Sequence, residues 1–294
     1  MPRVLYTKPA LDYQSQLQQL KDRGLIIENE PKALHLLEHL SYYRLSGYWY
    51  PMLSTPKSAH NFKPNSTFTN AFKMYCFDRE LKSLIMTEIE KIEVAVRAKM
   101  IHTMSMRNGA FWYMNSALFI DRNKLATSLS NLRREFSRSD ETFIKTFKGK
   151  YLDPLPPSWM ILEVTSFGTL SNLYSNLLPG HNKRDIASYF GVDETTFQSW
   201  LHSFTYVRNV CAHHSRLWNK QMSISPQVPL TPLHPFITIT TIPNRNTNLP
   251  PILNNNKVYF LLSILIYLLN TINPNHTFKQ KLFNLLKKYP MIHL

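Results

Sequence analysis

The sequence predicts an all-α fold, and three features carry the prediction. Apolar residues recur at helical spacing along most of the chain, and residues 68–106 contain neither Pro nor Gly. The β-branched run Ile237 to Ile242 lies inside a proline-rich stretch rather than in a regular series of strands. Seven glycines in 294 residues also leave little material for the tight turns and phosphate cradles that glycine makes. Neither G-x-G-x-x-G nor G-x-x-x-x-G-K-[ST] occurs, which excludes the dinucleotide and triphosphate loops built on those patterns.

The first helix runs from Leu11 to Arg23, where Leu17 and Leu20 share a face and Gly24 stops it. A second follows Pro31 with Leu34, Leu37 and Leu40 as its stripe, and continues into the aromatic stretch Tyr42 to Tyr50. Pro51, Pro56 and Pro64 mark a loop. From Phe68 to about Met106, Phe72, Leu81, Leu84, Ile85, Ile89, Ile92, Val96 and Met100 keep a period near 3.6 residues, predicting one long central helix. Its Glu80, Glu88, Glu90 and Glu93, interleaved with Lys82, Lys91, Arg97 and Lys99, read as a solvated face with ion pairs.

Asp121 caps a helix to Arg138, and Ser139 or Asp140 caps another to about Lys148. Pro154-Leu155-Pro156-Pro157 breaks the pattern, and helical signal resumes at Ser158, with Trp159 to Leu178 apolar enough for a core. A short helix spans Lys183 to Phe190, and a longer one spans Glu194 to about Trp218. Residues 222–256 hold seven prolines and read as a loop or small hairpin inserted between helices. Lys257–Asn270 and His276–Lys288 close the chain, the second amphipathic and basic. The organisation expected is an N-terminal helical extension over 1–60 and a helical core over 61–294, or one continuous domain over 1–294.

Charge is the second constraint. The chain has 34 Lys and Arg against 19 Asp and Glu, for a net charge of +15. After Glu194 no acid occurs, while nine Lys and Arg do. Such a field suits a polyanion, nucleic acid first, because neutralised phosphates release counterions. An alkaline soluble protein or an anionic membrane surface is the alternative. Cys76 and Cys211 are too few for a disulfide framework and suit a reducing cytosol. The N-terminus lacks the apolar segment of a signal peptide, and the longest apolar run, Val258 to Leu269, is short of the ~18–20 residues of a spanning helix. A cytoplasmic protein with no membrane partner is expected.

The densest group of reactive side chains is Tyr206-Val207-Arg208-Asn209-Val210-Cys211-Ala212-His213-His214-Ser215-Arg216-Leu217-Trp218-Asn219, which holds no carboxylate. Asn209 and His213 are four apart and share a helical face, whereas Arg208 and His213 lie about 140° apart around the helix. Convergence therefore needs the reach of Arg208, a distorted last turn, or two copies of the helix meeting. An imidazole moves a proton near neutrality, and a guanidinium holds a phosphate or the extra charge of its transition state. These are the parts of a metal-independent ribonuclease, in which the RNA's own 2′-hydroxyl attacks. The plainer reading is a helix end whose basic residues complement the macrodipole.

The string Arg208-Asn209-Val210-Cys211-Ala212-His213 resembles the signature of the Abi-like (abortive infection AbiD/AbiF type) proteins of the HEPN superfamily. The resemblance extends, in the family's order, through Tyr6-Thr7-Lys8-Pro9, Tyr42-Tyr43-Arg44-Leu45-Ser46-Gly47-Tyr48, Phe77-Asp78-Arg79-Glu80-Leu81 and Ile89 to Arg97. It continues through Trp159-Met160-Ile161-Leu162-Glu163, Ser166-Phe167-Gly168 and Cys211 to Asn219. It implies a HEPN-type helical bundle that forms a homodimer, in which the Arg/His motifs of two chains face one another in a basic RNase cleft. It also implies a role in phage defence or as a toxin that cuts cellular RNA, and, for some members, inhibition by a structured small RNA.

Carried over residue by residue, Arg208 and His213 are catalytic, while Asn209, His214 and Arg216 contact the RNA phosphates. Glu163, Tyr43 and Arg44 are supporting candidates. His214 also satisfies the permitted spacing, and His213 is preferred because it shares a face with Asn209. No metal and no cofactor are required. The rival function is a non-catalytic module that grips a regulatory RNA. Tyr42, Tyr43, Arg44, Tyr48 and Trp49 either stack on unpaired bases or pack a core. His35-Leu36-Leu37-Glu38-His39 fits the H-x-x-E-H string of inverted zinc peptidases, yet no downstream third ligand is nominated and the segment reads as an ordinary amphipathic helix.

Overall fold

A computed structural model describes residues 5–237, 241–242 and 252–291. Among these the chain is all-α: α1 (Tyr13–Asp22), α2 (Glu30–Leu40), α3 (Tyr42–Trp49), α4 (Phe68–Asn108), α5 (Arg122–Arg138), α6 (Thr142–Lys150), α7 (Ser158–Ile161), α8 (Phe167–Asn176), α9 (His181–Tyr189), α10 (Glu194–Ala212), α11 (Val258–Ile272) and α12 (Phe278–Lys288). The proline-rich insertion contributes one two-residue antiparallel pair, β1 (Thr241–Ile242) with β2 (Ile252–Leu253), in the register Thr241 to Leu253 and Ile242 to Ile252. The rest of that expected hairpin, 238–240 and 243–251, lies outside the described residues. No helix among the described residues is long and apolar enough to cross a membrane.

The chain divides into two compact units, one formed by residues up to Leu81 with those from Asn284 to His293, the other by Lys82 to Phe283. In the first unit Leu17 and Leu20 of α1, Ala33 and Leu37 of α2, Leu45 and Trp49 of α3, and Phe68 and Ala71 of α4 form one buried cluster. Asp12 caps α1 by accepting from the Ser15 N–H at 2.7 Å, and Asn29 caps α2 by accepting from Lys32 N–H at 2.9 Å. The expected run of the second helix into the aromatic stretch is broken at Ser41. Its φ of +63° ends α2, and its hydroxyl then caps α3 by accepting from the Arg44 N–H. The end of α12 is fixed in the same unit, with the Lys288 ammonium 2.8 Å from Glu80 and the Tyr289 hydroxyl donating to Glu80 at 2.7 Å. Burial would raise the Glu80 pKa, but these two partners hold it below its ordinary 4.5. Burial and the same hydrogen bond push the Tyr289 phenol up to about 12.

In the second unit the helices are tied end to end by side chains. Asp121 caps α5 as its sequence position predicts, and Asn176 at the end of α8 bonds both the N–H and the carbonyl of Asp121. Lys183 of α9 is buried, and desolvation lowers its pKa. Its ammonium donates to the Ser175 carbonyl and to Gln198 Oε1 of α10, each at 2.9 Å, so one cation satisfies orphan carbonyls of α8 and anchors α10. Tyr267 of α11 donates to the Gly191 carbonyl at 2.6 Å. Gly191 has φ +76° and a Cβ there would stand 2.7 Å from that hydroxyl, so the turn into α10 takes only glycine.

The long central helix forms as its periodicity predicts, with Phe77, Leu81, Ile85, Ile89, Ile92, Val96 and Met100 buried. The ion pairs expected of its charged residues form, and Glu90 and Lys91 are exposed, but part of the expected solvated face is buried. Glu88 is 1% exposed, Lys82 7% and Arg97 9%, and Asp78 is fully buried. Each has a polar partner: Lys91 with Glu88 at 2.7 Å, Arg97 with Glu93 at 2.7 Å, Lys82 with the Ser215 carbonyl at 3.1 Å, and Tyr48 with Asp78 at 2.7 Å. Buried charge is tolerated when it is paired and hydrogen-bonded, and these partners come from elsewhere in the chain as well as from the helix. Cys76 is half-buried and Cys211 buried, and neither forms a disulfide.

Candidate functional site

Helix α10 carries the reactive cluster, and its sequence explains how the cluster is held. Asp193 caps its start by accepting from the N–H groups of Thr195 and Thr196 at 2.9 and 2.8 Å. Although burial opposes it, these bonds and the threonine hydroxyls lower the Asp193 pKa. Phe197, Trp200, Leu201, Phe204, Val207, Val210 and Cys211 then form a continuous buried face. Trp200 is further tethered through its indole N–H to the Gln227 carbonyl at 2.9 Å. With that face locked, the last turn presents Arg208 half-buried and Asn209 exposed.

The helix ends at Ala212, six residues earlier than the periodicity predicts. His213 is the C-cap, its N–H bonded to the Asn209 carbonyl at 2.9 Å, and His214 follows with φ +54°. The His214 N–H reaches the Cys211 carbonyl and the Ser215 N–H the Val210 carbonyl, each at 3.0 Å. This pair of bonds is a Schellman motif, normally closed by Gly or Asn, here closed by a histidine. Two features hold the turn. Leu217 and Trp218 are buried directly after it, and the Lys82 ammonium of α4 donates to the Ser215 carbonyl.

Both imidazoles are exposed, Arg216 is half-buried beyond them, and the 100°-per-residue count that relates Arg208 to His213 stops at the cap. Among the described residues Arg208 forms no ion pair, and its helix carries no acid after Glu194. The turn therefore offers guanidinium, amide and two imidazoles on a segment that carries no carboxylate after Glu194. Such a set can grip an anionic group and move protons beside it.

Glu163 sits in the turn between α7 and α8, not within a helix, and is 51% exposed. Its carboxylate lies 3.9 Å from Arg97 of α4, so the structure pairs it with Arg97 and not with the α10 motif. Arg97 also donates to Glu93 and, at 2.9 Å, to the Thr165 carbonyl, while its buried Nε has no hydrogen-bond partner among the described residues. Next to this group the first turn of α8 packs on α10 three residues before Arg208, Thr205 Cγ2 lying 3.6 Å from the Cβ position of Gly168. Arg97 and Glu93 thus tie α4 to the segment that carries Glu163 and Thr165, a role that composition and period do not single out. Their signal is the i,i+4 acid–base pair on an otherwise apolar repeat.

Tyr43 and Arg44 stand on α3 in the first unit, with Tyr43 89% exposed. In the same unit His35, Glu38 and His39 bring their ligand atoms within 4.8 Å of one another on the exposed side of α2. The group includes the glutamate a zinc peptidase would keep as its base, and among the described residues no further ligand joins it. The arrangement does not match that of a peptidase centre.

The end of α10 is an acid-free turn bearing Arg, Asn and two His, side chains whose chemistry suits an anionic group. The family model for Abi-like proteins matches residues 35–219, and the chain belongs to that family. No curated protein and no solved structure gives a significant match.

Proposed function

We propose that this chain is a metal-independent endoribonuclease of the HEPN type, acting in the cytoplasm as a homodimer in phage defence or as a growth-arresting toxin. The observation that carries the reading is the closed end of α10, where Arg208 and Asn209 near the end of the helix are followed by His213 and His214 in the turn that closes it, with both imidazoles exposed. Family membership supports the abortive-infection role.

In this reaction His213 accepts the proton of the RNA 2′-hydroxyl as that oxygen forms a bond to the adjacent phosphorus. The bond from phosphorus to the 5′-oxygen breaks, and the leaving oxygen takes a proton from a second, protonated imidazole. That donor is His214 of the same turn or His213 of the second copy. Arg208 binds the phosphoryl oxygens where negative charge develops, and Asn209 orients the phosphate. The products are a 2′,3′-cyclic phosphate and a 5′-hydroxyl, so no water or external nucleophile enters the first step.

Incubation of total RNA with the wild type and with Arg208→Ala/His213→Ala tests the proposal. Discrete fragments with the wild type alone support it. A double variant that still cuts overturns it. Sedimentation tests the dimer, since a strict monomer at the active concentration contradicts a composite cleft. The second reading, an RNA-holding module, is favoured by the acid-free stretch after Glu194. It expects a mobility shift without cleavage from both proteins.

A further inference from the structure

The first unit contains a cavity of about 730 Å³, in the range of small-molecule sites, that the α10 chemistry does not use. Most of its aromatic surface comes from α3 and the turn after it, Tyr42, Tyr43, Trp49 and Tyr50, with Tyr6 and Phe62 adding the rest. Tyr42 and Trp49 meet edge to face with centroids 5.1 Å apart, and Tyr43 extends almost wholly into solvent. An aromatic residue that packs a core is covered, whereas Tyr43 is a ring held open at the mouth of a concave site.

The polar groups of the cavity are cationic or neutral. Lys8, Arg23 and His60 line it and no Asp or Glu does. Arg23 donates to the Tyr42 hydroxyl at 3.0 Å, which holds its guanidinium beside the rings. The most informative wall residue is Gln16. Its amide nitrogen donates to the Leu11 carbonyl at 2.8 Å, and its Oε1 is buried with no hydrogen-bond partner among the described residues. A buried acceptor left unsatisfied is destabilising, and because this one is closed to solvent a ligand N–H satisfies it only when the Gln16 amide turns toward the cavity.

Flat rings for a π-face, cations for an anion, an unfilled acceptor for an N–H, and no carboxylate to repel a phosphate together describe one kind of ligand. We propose that this cavity binds a nucleobase with its attached phosphate. The base stacks on Tyr43 and its neighbours, an amine or ring N–H meets Gln16 Oε1, and the phosphate lies toward Lys8 and Arg23. Two sources share this chemistry, a free mononucleotide and an unpaired residue of an RNA strand.

The proposal stands apart from the cleavage reading, and its test is run on the full-length Arg208→Ala/His213→Ala chain so that no RNA is consumed. Calorimetric titrations use the four 5′-ribonucleoside monophosphates, ribose 5-phosphate and short unstructured RNA oligomers, with and without Tyr43→Ala or Gln16→Leu. The expected result is binding of nucleotide or oligomer that each substitution weakens about tenfold, with no comparable binding of ribose 5-phosphate. Binding of mononucleotides identifies a free nucleotide as the ligand. Binding of oligomers alone, with the same sensitivity to Tyr43→Ala, identifies an unpaired RNA base. If neither class binds, if ribose 5-phosphate binds equally well, or if Tyr43→Ala leaves affinity unchanged in a chain of unaltered Tm, the proposal is overturned. None of these outcomes depends on whether the wild type cuts RNA.

Discussion

Helices α4 and α10 both carry charged side chains beside buried apolar stripes, but they treat them in opposite ways. On α4, Glu88, Lys82 and Arg97 are drawn into the protein and matched with polar partners, whereas the last turn of α10 leaves His213, His214 and Asn209 exposed on an acid-free segment. A charge taken out of water is costly unless matched, so the matched set serves the fold. The exposed set keeps its contact with solvent on a segment that carries no acid.

Substitutions sharpen that contrast, beginning with the largest effect. Arg97→Ala leaves Glu93 unpaired at a site where removing one partner of a buried ion pair costs about 3–5 kcal/mol. Arg208→Ala should change stability by no more than about 0.5 kcal/mol. Denaturant unfolding of both variants measures the difference, and equal losses would erase the distinction between the two helices. Tyr48→Phe removes one donor to the buried Asp78 carboxylate and should cost about 1.5–3 kcal/mol by the same assay.

A pH effect follows from Glu80. Its folded-state pKa lies below 4.5, so its contribution to stability is complete above that value and is lost as pH falls through the folded value. Glu80→Gln should therefore lower Tm at pH 7 and flatten the acid limb below pH 4.5, and an unchanged acid limb would show that Glu80 is not coupled to folding. A modest effect is expected at His214, whose left-handed backbone favours glycine. Compared with His214→Ala, which removes the same side chain but keeps a Cβ on the left-handed backbone, His214→Gly should be more stable by about 0.5–1 kcal/mol. If the variant also keeps cleavage, His213 is the imidazole that takes the 2′-hydroxyl proton.

Local signals were legible and distant ones were not. Asp121 starts α5 and Arg138 ends it because a cap and a period are written within the segment itself. The same holds for α4, whose Pro- and Gly-free repeat fixes its extent from Phe68 to Asn108. The end of α10 is set instead by Trp218 turning into the core and by Lys82, 133 residues away, bonding the Ser215 carbonyl, so no stop residue announces it. Arg97 likewise owes its burial to a carbonyl 68 residues distant at Thr165. At the candidate site, residue types and spacing were readable from Arg208 to His213. The histidine-closed turn and the pairing of Glu163 with Arg97 depend on tertiary placement.

The chemistry of the RNA ends tests the central claim most directly. Wild-type, Arg208→Ala and His213→Ala chains are incubated with a defined RNA in EDTA, and both sides of each break are mapped. The expected result is 2′,3′-cyclic phosphate and 5′-hydroxyl ends from the wild type, reduced at least a hundredfold in each variant while its Tm is retained. Breaks that leave 3′-hydroxyl and 5′-phosphate ends, or cleavage that persists in both variants, would contradict the assignment of the chemistry to the end of α10.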